Sequence, residues 1–126
     1  MRGPGGSSEA RFTVAVRRRP REDALVLALD GELDLDSADV LREALAETME
    51  PGVNRILVDC TDLHFCDSTG LNALLRARRS AEEAGARLDL FALRPQVARM
   101  FDITGVGTVF HVYANLDEAL TDLLPN

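Results

Sequence analysis

The sequence predicts an α/β domain in which a mixed β-sheet of about five strands packs against about four helices. Three observations carry that expectation. Apolar residues switch along the chain between a two-residue and a three-to-four-residue period, in the order β-β-α-β-α-β-α-β-α. The run Ile56-Leu57-Val58 shows no alternation, as expected for a strand covered on both faces in a parallel sheet. A chain of 126 residues suits one domain, and one that size buries roughly two thirds of its unfolded surface without metals or disulfides.

The first strand is "RFTVAVRRR", where Phe12, Val14 and Val16 alternate with polar or small residues. "RRPRED" reads as a hairpin connection into "ALVLALDG", a fuller apolar run. After the acidic turn residues of "GELDLD", Ser37 suits an N-cap for a helix carrying Leu41, Ala44, Leu45 and Thr48 on one face. "PGV" ends that helix and "NRILVDC" forms the next strand, which helices should flank. A second helix should begin around Ser68. It places Leu71, Leu74, Leu75 and Ala81 inward and Arg76, Arg79, Glu82 and Glu83 outward, and Gly85 stops it. "ARLDLFAL" is a further strand, and Pro95 fits the first turn of a short helix with Val97, Met100 and Phe101. "GTVFHVY" is the last strand. "NLDEALTDLL" closes the domain as a helix, with Asn115 and Glu118 as a capping pair before Leu120, Leu123 and Leu124.

Residues 1–10, rich in Gly, Ser and Pro, offer nothing to bury and are expected to form a disordered tail; the domain occupies 11–126. The 46% hydrophobic content is mainly Ala, Leu and Val, with no Trp and one Tyr, so stacking platforms for bases are scarce. A net charge of −7 repels phosphate backbones, which argues against direct nucleic-acid binding; Arg17, Arg18, Arg19 and Arg21 form a local basic exception. Cys60 and Cys66 lack the spacing of a zinc or redox pair and read as reduced, small buried side chains. With no signal-length or membrane-length apolar run, a cytoplasmic protein without membrane attachment is expected.

The stretch "FCDSTGLN", Phe65 to Asn72, joins an acid, two hydroxyls and a glycine at a strand-to-helix junction. Unpaired amides and a partial positive charge at a helix N-terminus stabilise a phosphate placed there, so Ser68 is well placed as a phosphoryl acceptor. Gly70 is expected to keep the first turn uncluttered for an approaching partner. The alternative is that Ser68 or Thr69 serves only as the N-cap.

"GELDLDSA", a buried strand, "DLHFCDSTGL" and "RPQVARMFDITGV" follow one another in an order and spacing that resembles the STAS-domain anti-sigma factor antagonists, over about Phe12 to Leu124. "CDSTGL" joined to "MFDITG" is the most specific part. The resemblance implies a STAS-like fold and a bacterial partner-switching phosphoprotein that performs no catalysis and needs no cofactor. In its unphosphorylated form such a protein binds an anti-sigma factor that is also an ATP-dependent serine kinase, which frees the sigma factor for transcription under stress. The kinase then switches binding off by phosphorylating the residue corresponding to Ser68, and a phosphoserine phosphatase reverses it. Asp34 and Asp67 match acidic positions beside the acceptor and, with Thr69, Gly70 and Asn72, are expected to line the docking face. Cys66 and Asn72 depart from the commoner aliphatic residue and glycine.

Several other chemistries fit less well. A serine hydrolase would recruit Ser68 with His64 or His111 and Asp67, but Cys66 stands where the first glycine of a Gly-x-Ser-x-Gly elbow belongs. His64 reads as a loop residue and His111 as a sheet-face residue. Asp59, Asp62 and Asp67 fit no metal-ligand loop and read as solvated turn carboxylates. The arginine tract reads as a solvated hairpin. The competing function is a non-switching STAS adaptor subunit of a lipid-transport or signalling scaffold complex.

Overall fold

A computed structural model describes residues 11–122. Strands β1 (Phe12–Arg19), β2 (Ala24–Leu33), β3 (Arg55–Cys66), β4 (Arg87–Phe91) and β5 (Val112–Tyr113) form one sheet. Helices α1 (Ala38–Thr48), α2 (Ser68–Glu83), α3 (Pro95–Thr104) and α4 (Leu116–Thr121) complete the fold. Strand order follows chain order; β1 is antiparallel to β2 and all later neighbours are parallel, so the expected mixed sheet is present.

Parallel neighbours require crossover connections, and these are right-handed almost without exception. Because successive strands are added on the same side, such crossovers carry α1, α2 and α3 to one face. There Leu41, Leu45, Leu71, Leu74, Val97 and Phe101 bury themselves against Leu27, Leu29, Ile56 and Val58. Burial of each such aliphatic side chain is worth about 1.5–3 kcal/mol. The opposite face is thinner, with Val26, Leu57 and Phe91 packed beneath Ala119 of α4. The unalternating strand at Ile56–Val58 is thus covered on both faces.

Helix termini follow local chemistry. At the end of α2, Gly85 adopts φ +86, Ala86 N donates to Ala81 O at 2.8 Å and Gly85 N to Glu82 O at 3.0 Å. This is a Schellman arrangement that only a residue tolerant of left-handed backbone makes cheaply. Asn115 caps α4 by accepting from Glu118 N at 2.9 Å, while the Glu118 carboxylate accepts from Ala114 N at 3.1 Å. Ser37 departs from expectation: it precedes α1 but makes no side-chain cap, because its hydroxyl is drawn back to the end of β2.

Three boundaries also differ from the pattern. β2 and β3 run further than their apolar runs, to Leu33 and Cys66, because they continue to pair through register shifts near Ala28–Asp30 and Gly31–Glu32. His64, Asp59 and Asp62 therefore lie on a strand rather than in loops or turns. The last strand is only Val112–Tyr113; Val106–Thr108 is a 3-10 turn, Phe110 folds inward against Phe101 at 5.8 Å between ring centroids, and His111 precedes the strand. Arg17, Arg18 and Arg19 lie on β1, with Arg18 paired to Glu50 and Arg19 to Glu22. The expected tail, and Leu123 and Leu124, lie outside the described residues.

Candidate functional site

The site stands at the C-terminal end of β2 and β3, where the chain turns into α1 and α2. Two glycines set its shape. Gly31, at φ +117, sits at a register shift where β3 carries an extra residue, His64, opposite β2; any Cβ on Gly31 would strike the Arg11 carbonyl, and the next amide, Glu32 N, donates to that carbonyl at 2.9 Å. Beyond this shift the strands stay paired, Glu32 with Phe65 and Leu33 with Cys66. Gly70, in the first turn of α2, lies against Leu33 O, where a Cβ would collide with the carbonyl and press on Cys66 Sγ. Gly70 is therefore buried, and its missing side chain serves close packing inside the domain rather than approach from outside.

Asp67, not Ser68 or Thr69, is the cap. Its backbone is extended and its Oδ1 accepts from Gly70 N at 2.9 Å. Ser68 is the first helical residue and is exposed, Thr69 is half-buried and Asn72 is exposed one turn on. With the cap supplied by its neighbour, the Ser68 hydroxyl stands at the positive end of a sixteen-residue helix without being required to hold it.

Asp34 is held beside this helix start by a dense network. Its Oδ1 accepts from the amides of Asp36 at 3.0 Å and Ser37 at 3.2 Å, and its Oδ2 receives the Arg11 guanidinium at 2.7 Å. The Ser37 hydroxyl accepts from Asp34 N at 2.9 Å and donates to Glu32 O at 2.7 Å. Desolvation pushes the Asp34 carboxyl up. Hydrogen bonds from Ser37, the Arg11 charge and the Asp36 amide outweigh it and hold the group below its ordinary value. Under the helix start, burial first and Asp67 second push the Cys66 thiol up to about 12. Burial raises Cys60 as well; both thiols are free.

Asp34, Asp67, Ser68, Thr69, Gly70 and Asn72 thus share one end of the sheet. His111 lies at the other end, where its Nδ1 is 2.9 Å from Arg87 Nη2, so it cannot serve Ser68. Among the described residues no three His, Cys, Asp or Glu side chains converge as a metal site. The Asp59 carboxylate is occupied by the amide and hydroxyl of Thr61 at 2.9 and 2.6 Å. No described helix is long and apolar enough to cross a membrane.

Sequence reasoning missed two features. Leu35 and Phe65 are large apolar side chains left 74% and 47% exposed on the two segments that lead into α1 and α2. Leu35 inside the acidic "LDLD" was the available signal. The second is Asp89, 2% exposed on β4, whose carboxylate pairs with Arg55 at 2.7 Å and Arg87 at 3.1 Å. An acid inside "RLDLF", with arginines opening two adjacent strands, was its signal. A groove of about 940 Å³ opens there, but its arginines Arg55, Arg78 and Arg87 are balanced by Glu22, Glu82, Asp89 and Asp122.

Comparison with known proteins places these residues in context. The model of the STAS domain matches residues 15–119. The anti-sigma-B factor antagonist of Bacillus subtilis (strain 168) is 31% identical over 103 residues, covering 82% of this chain and 94% of that protein. The anti-sigma factor antagonist SpoIIAA in its unphosphorylated form superposes with a TM-score of 0.70 at 27% identity, covering 86% of this chain and 93% of that one. The Bacillus cell-fate determinant SpoIIAA in its phosphorylated form gives a TM-score of 0.63 at 26% identity, covering 86% and 96%.

Proposed function

The chain belongs to the STAS domain family, and from that membership we propose that it is an anti-sigma factor antagonist switched by phosphorylation of Ser68. Unphosphorylated, it binds an anti-sigma factor that is also a serine kinase and so releases the sigma factor. The kinase transfers the γ-phosphoryl group of ATP to the Ser68 hydroxyl, which ends the complex, and a phosphoserine phosphatase restores it. The protein's own part is binding, in the cytoplasm. The antagonist function of the relatives, one of them known in both phosphorylation states, favours this over a static adaptor.

The observation that carries the reading is the division of labour between Asp67 and Ser68. Asp67 holds the helix start, so the exposed hydroxyl beside it can change charge without unwinding α2. Phosphorylation adds about −1.5 to −2 charges next to Asp67 and Asp34. Like-charge repulsion and desolvation then oppose docking. A hundredfold to thousandfold loss of affinity needs only about 3–4 kcal/mol, and burying an uncompensated charge costs that much or more.

The test is direct. With kinase and ATP, intact mass should show a single added phosphate, absent in Ser68→Ala, and Ser68→Asp should bind the kinase far more weakly than the unmodified protein. Equal binding by unmodified and phosphorylated protein would overturn the switch.

A further inference from the structure

The acceptor is flanked by a surface that polar chemistry does not explain. Leu35 follows the end of β2, and Phe65 sits near the end of β3, paired in register with Glu32 while Leu33 pairs with Cys66. The two exposed apolar side chains thus rise from adjacent segments at the end of the sheet that carries Ser68. Neither contributes to the core, and a folded monomer gains nothing by leaving them in water. The segments that carry and follow them hold Glu32, Asp34, Asp36, Asp39 and Asp67, and there Arg11 pairs with Asp34 and Arg42 with Asp39. Arg11 is already claimed by Glu32 at 2.9 Å and Asp34 at 2.7 Å. The rim is therefore acidic and the centre apolar, the plan of a protein docking patch in which anchors give affinity and charges give steering and selectivity.

We propose that Leu35 and Phe65 are the two apolar anchors of the kinase-docking face, and that they seat in an apolar recess of the kinase rimmed by lysine or arginine side chains. Charge complementarity identifies the occupant: a second copy of this chain would bring five carboxylates against five, whereas a basic protein surface neutralises them. The proposal rests on the function argued above and adds which side chains supply binding and what the partner's face must look like. It also separates recognition from chemistry. The anchors lie off the acceptor, so they set how often the kinase holds the chain, while Ser68 and its helix start set what happens once it does.

The experiment titrates the purified chain with each purified serine-kinase anti-sigma factor of the source genome, beginning with any encoded beside this gene. The chains compared are wild type, Leu35→Ser, Phe65→Ser and, as an exposed apolar control on the last turn of α3, Ile103→Ser, a side chain 78% exposed. Each anchor variant is expected to bind at least about tenfold more weakly, a loss of about 1.4 kcal/mol, with unchanged melting temperature. Phosphorylation of Ser68 should show a raised KM at unchanged kcat, because uniform binding is what has been removed. Ile103→Ser should match wild type, and wild-type affinity should fall as salt rises. A kinase that phosphorylates wild type and both anchor variants with the same KM and affinity would overturn the anchors while leaving the switch intact. Failure of every kinase to bind or modify wild type would overturn both.

Discussion

The carbonyl oxygen of Leu33, at the end of β2, occupies the space that a Cβ on Gly70 would need at the start of α2. This contact sets how closely the start of α2 approaches the sheet. Gly70→Ala forces backbone against backbone, with no flexible side chain to yield. A loss of about 1–3 kcal/mol is expected, read as a lower melting temperature, together with slower phosphorylation of Ser68 because the helix start is displaced.

The cap should be separable from the neighbouring Ser68 hydroxyl. Asp67→Ala removes the oxygen that receives Gly70 N and should cost about 1 kcal/mol in urea denaturation. Asp67→Asn keeps an acceptor and should recover most of that stability. Ser68→Ala, which removes no cap, should unfold at nearly the wild-type midpoint while abolishing phosphate uptake.

Acid should loosen the Asp34 network. A carboxyl held below its ordinary value in the folded state stabilises that state above the unfolded value, and the contribution disappears as pH falls through the folded one. The relevant window therefore lies below about pH 4. Wild type should lose melting temperature through that window more steeply than Asp34→Asn, whose side chain does not titrate. Parallel curves for the two proteins would count against this assignment.

At the other end of the sheet, Asp89→Ala leaves Arg55 and Arg87, themselves largely buried, without their shared carboxylate. Removing one partner of such a group costs about 3–5 kcal/mol, so this variant should be the least stable of those considered. Calorimetry at neutral pH measures it. Replacing Arg55 and Asp89 together by apolar residues of similar size should recover part of the loss.

The thiols report on integrity. With burial pushing Cys66 up to about 12 and raising Cys60 further, neither supplies thiolate near neutrality. Ellman's reagent should find almost no reactive thiol in the folded protein and two after denaturation.

Much of this arrangement was legible in the residues. The faces of α1 and α2 followed from Leu41, Leu45, Leu71 and Leu74 at helical spacing, and the unalternating Ile56–Val58 announced a covered strand. Ser68 is exposed at the first residue of α2, where the sequence placed a helix start. What escaped depends on contacts between distant segments. β2 and β3 extend beyond their apolar runs because their backbones still pair across two shifts, which no alternation records. Asp67 displaced Ser68 as cap because the chain enters α2 one residue earlier than a serine cap requires. Ser37 lost its capping role to a carbonyl in β2. The burial of Gly70 and the exposure of Phe65 both depend on where the end of one strand meets the start of a helix, a distance set only once the sheet is assembled.

β3 carries Arg55 at its first residue and delivers Ser68 just past its last, so the ion cluster around Asp89 and the proposed phosphoryl acceptor occupy opposite rims of the same sheet. On the proposed switch, duplicated genes would diverge in whom they answer by altering Leu35, Phe65 and their acidic neighbours, while the ion pairs around Asp89 stay as they are. Insulated signalling lines within one cell then become accessible by few substitutions, and an engineer who wishes to rewire such a line can leave half of the molecule alone.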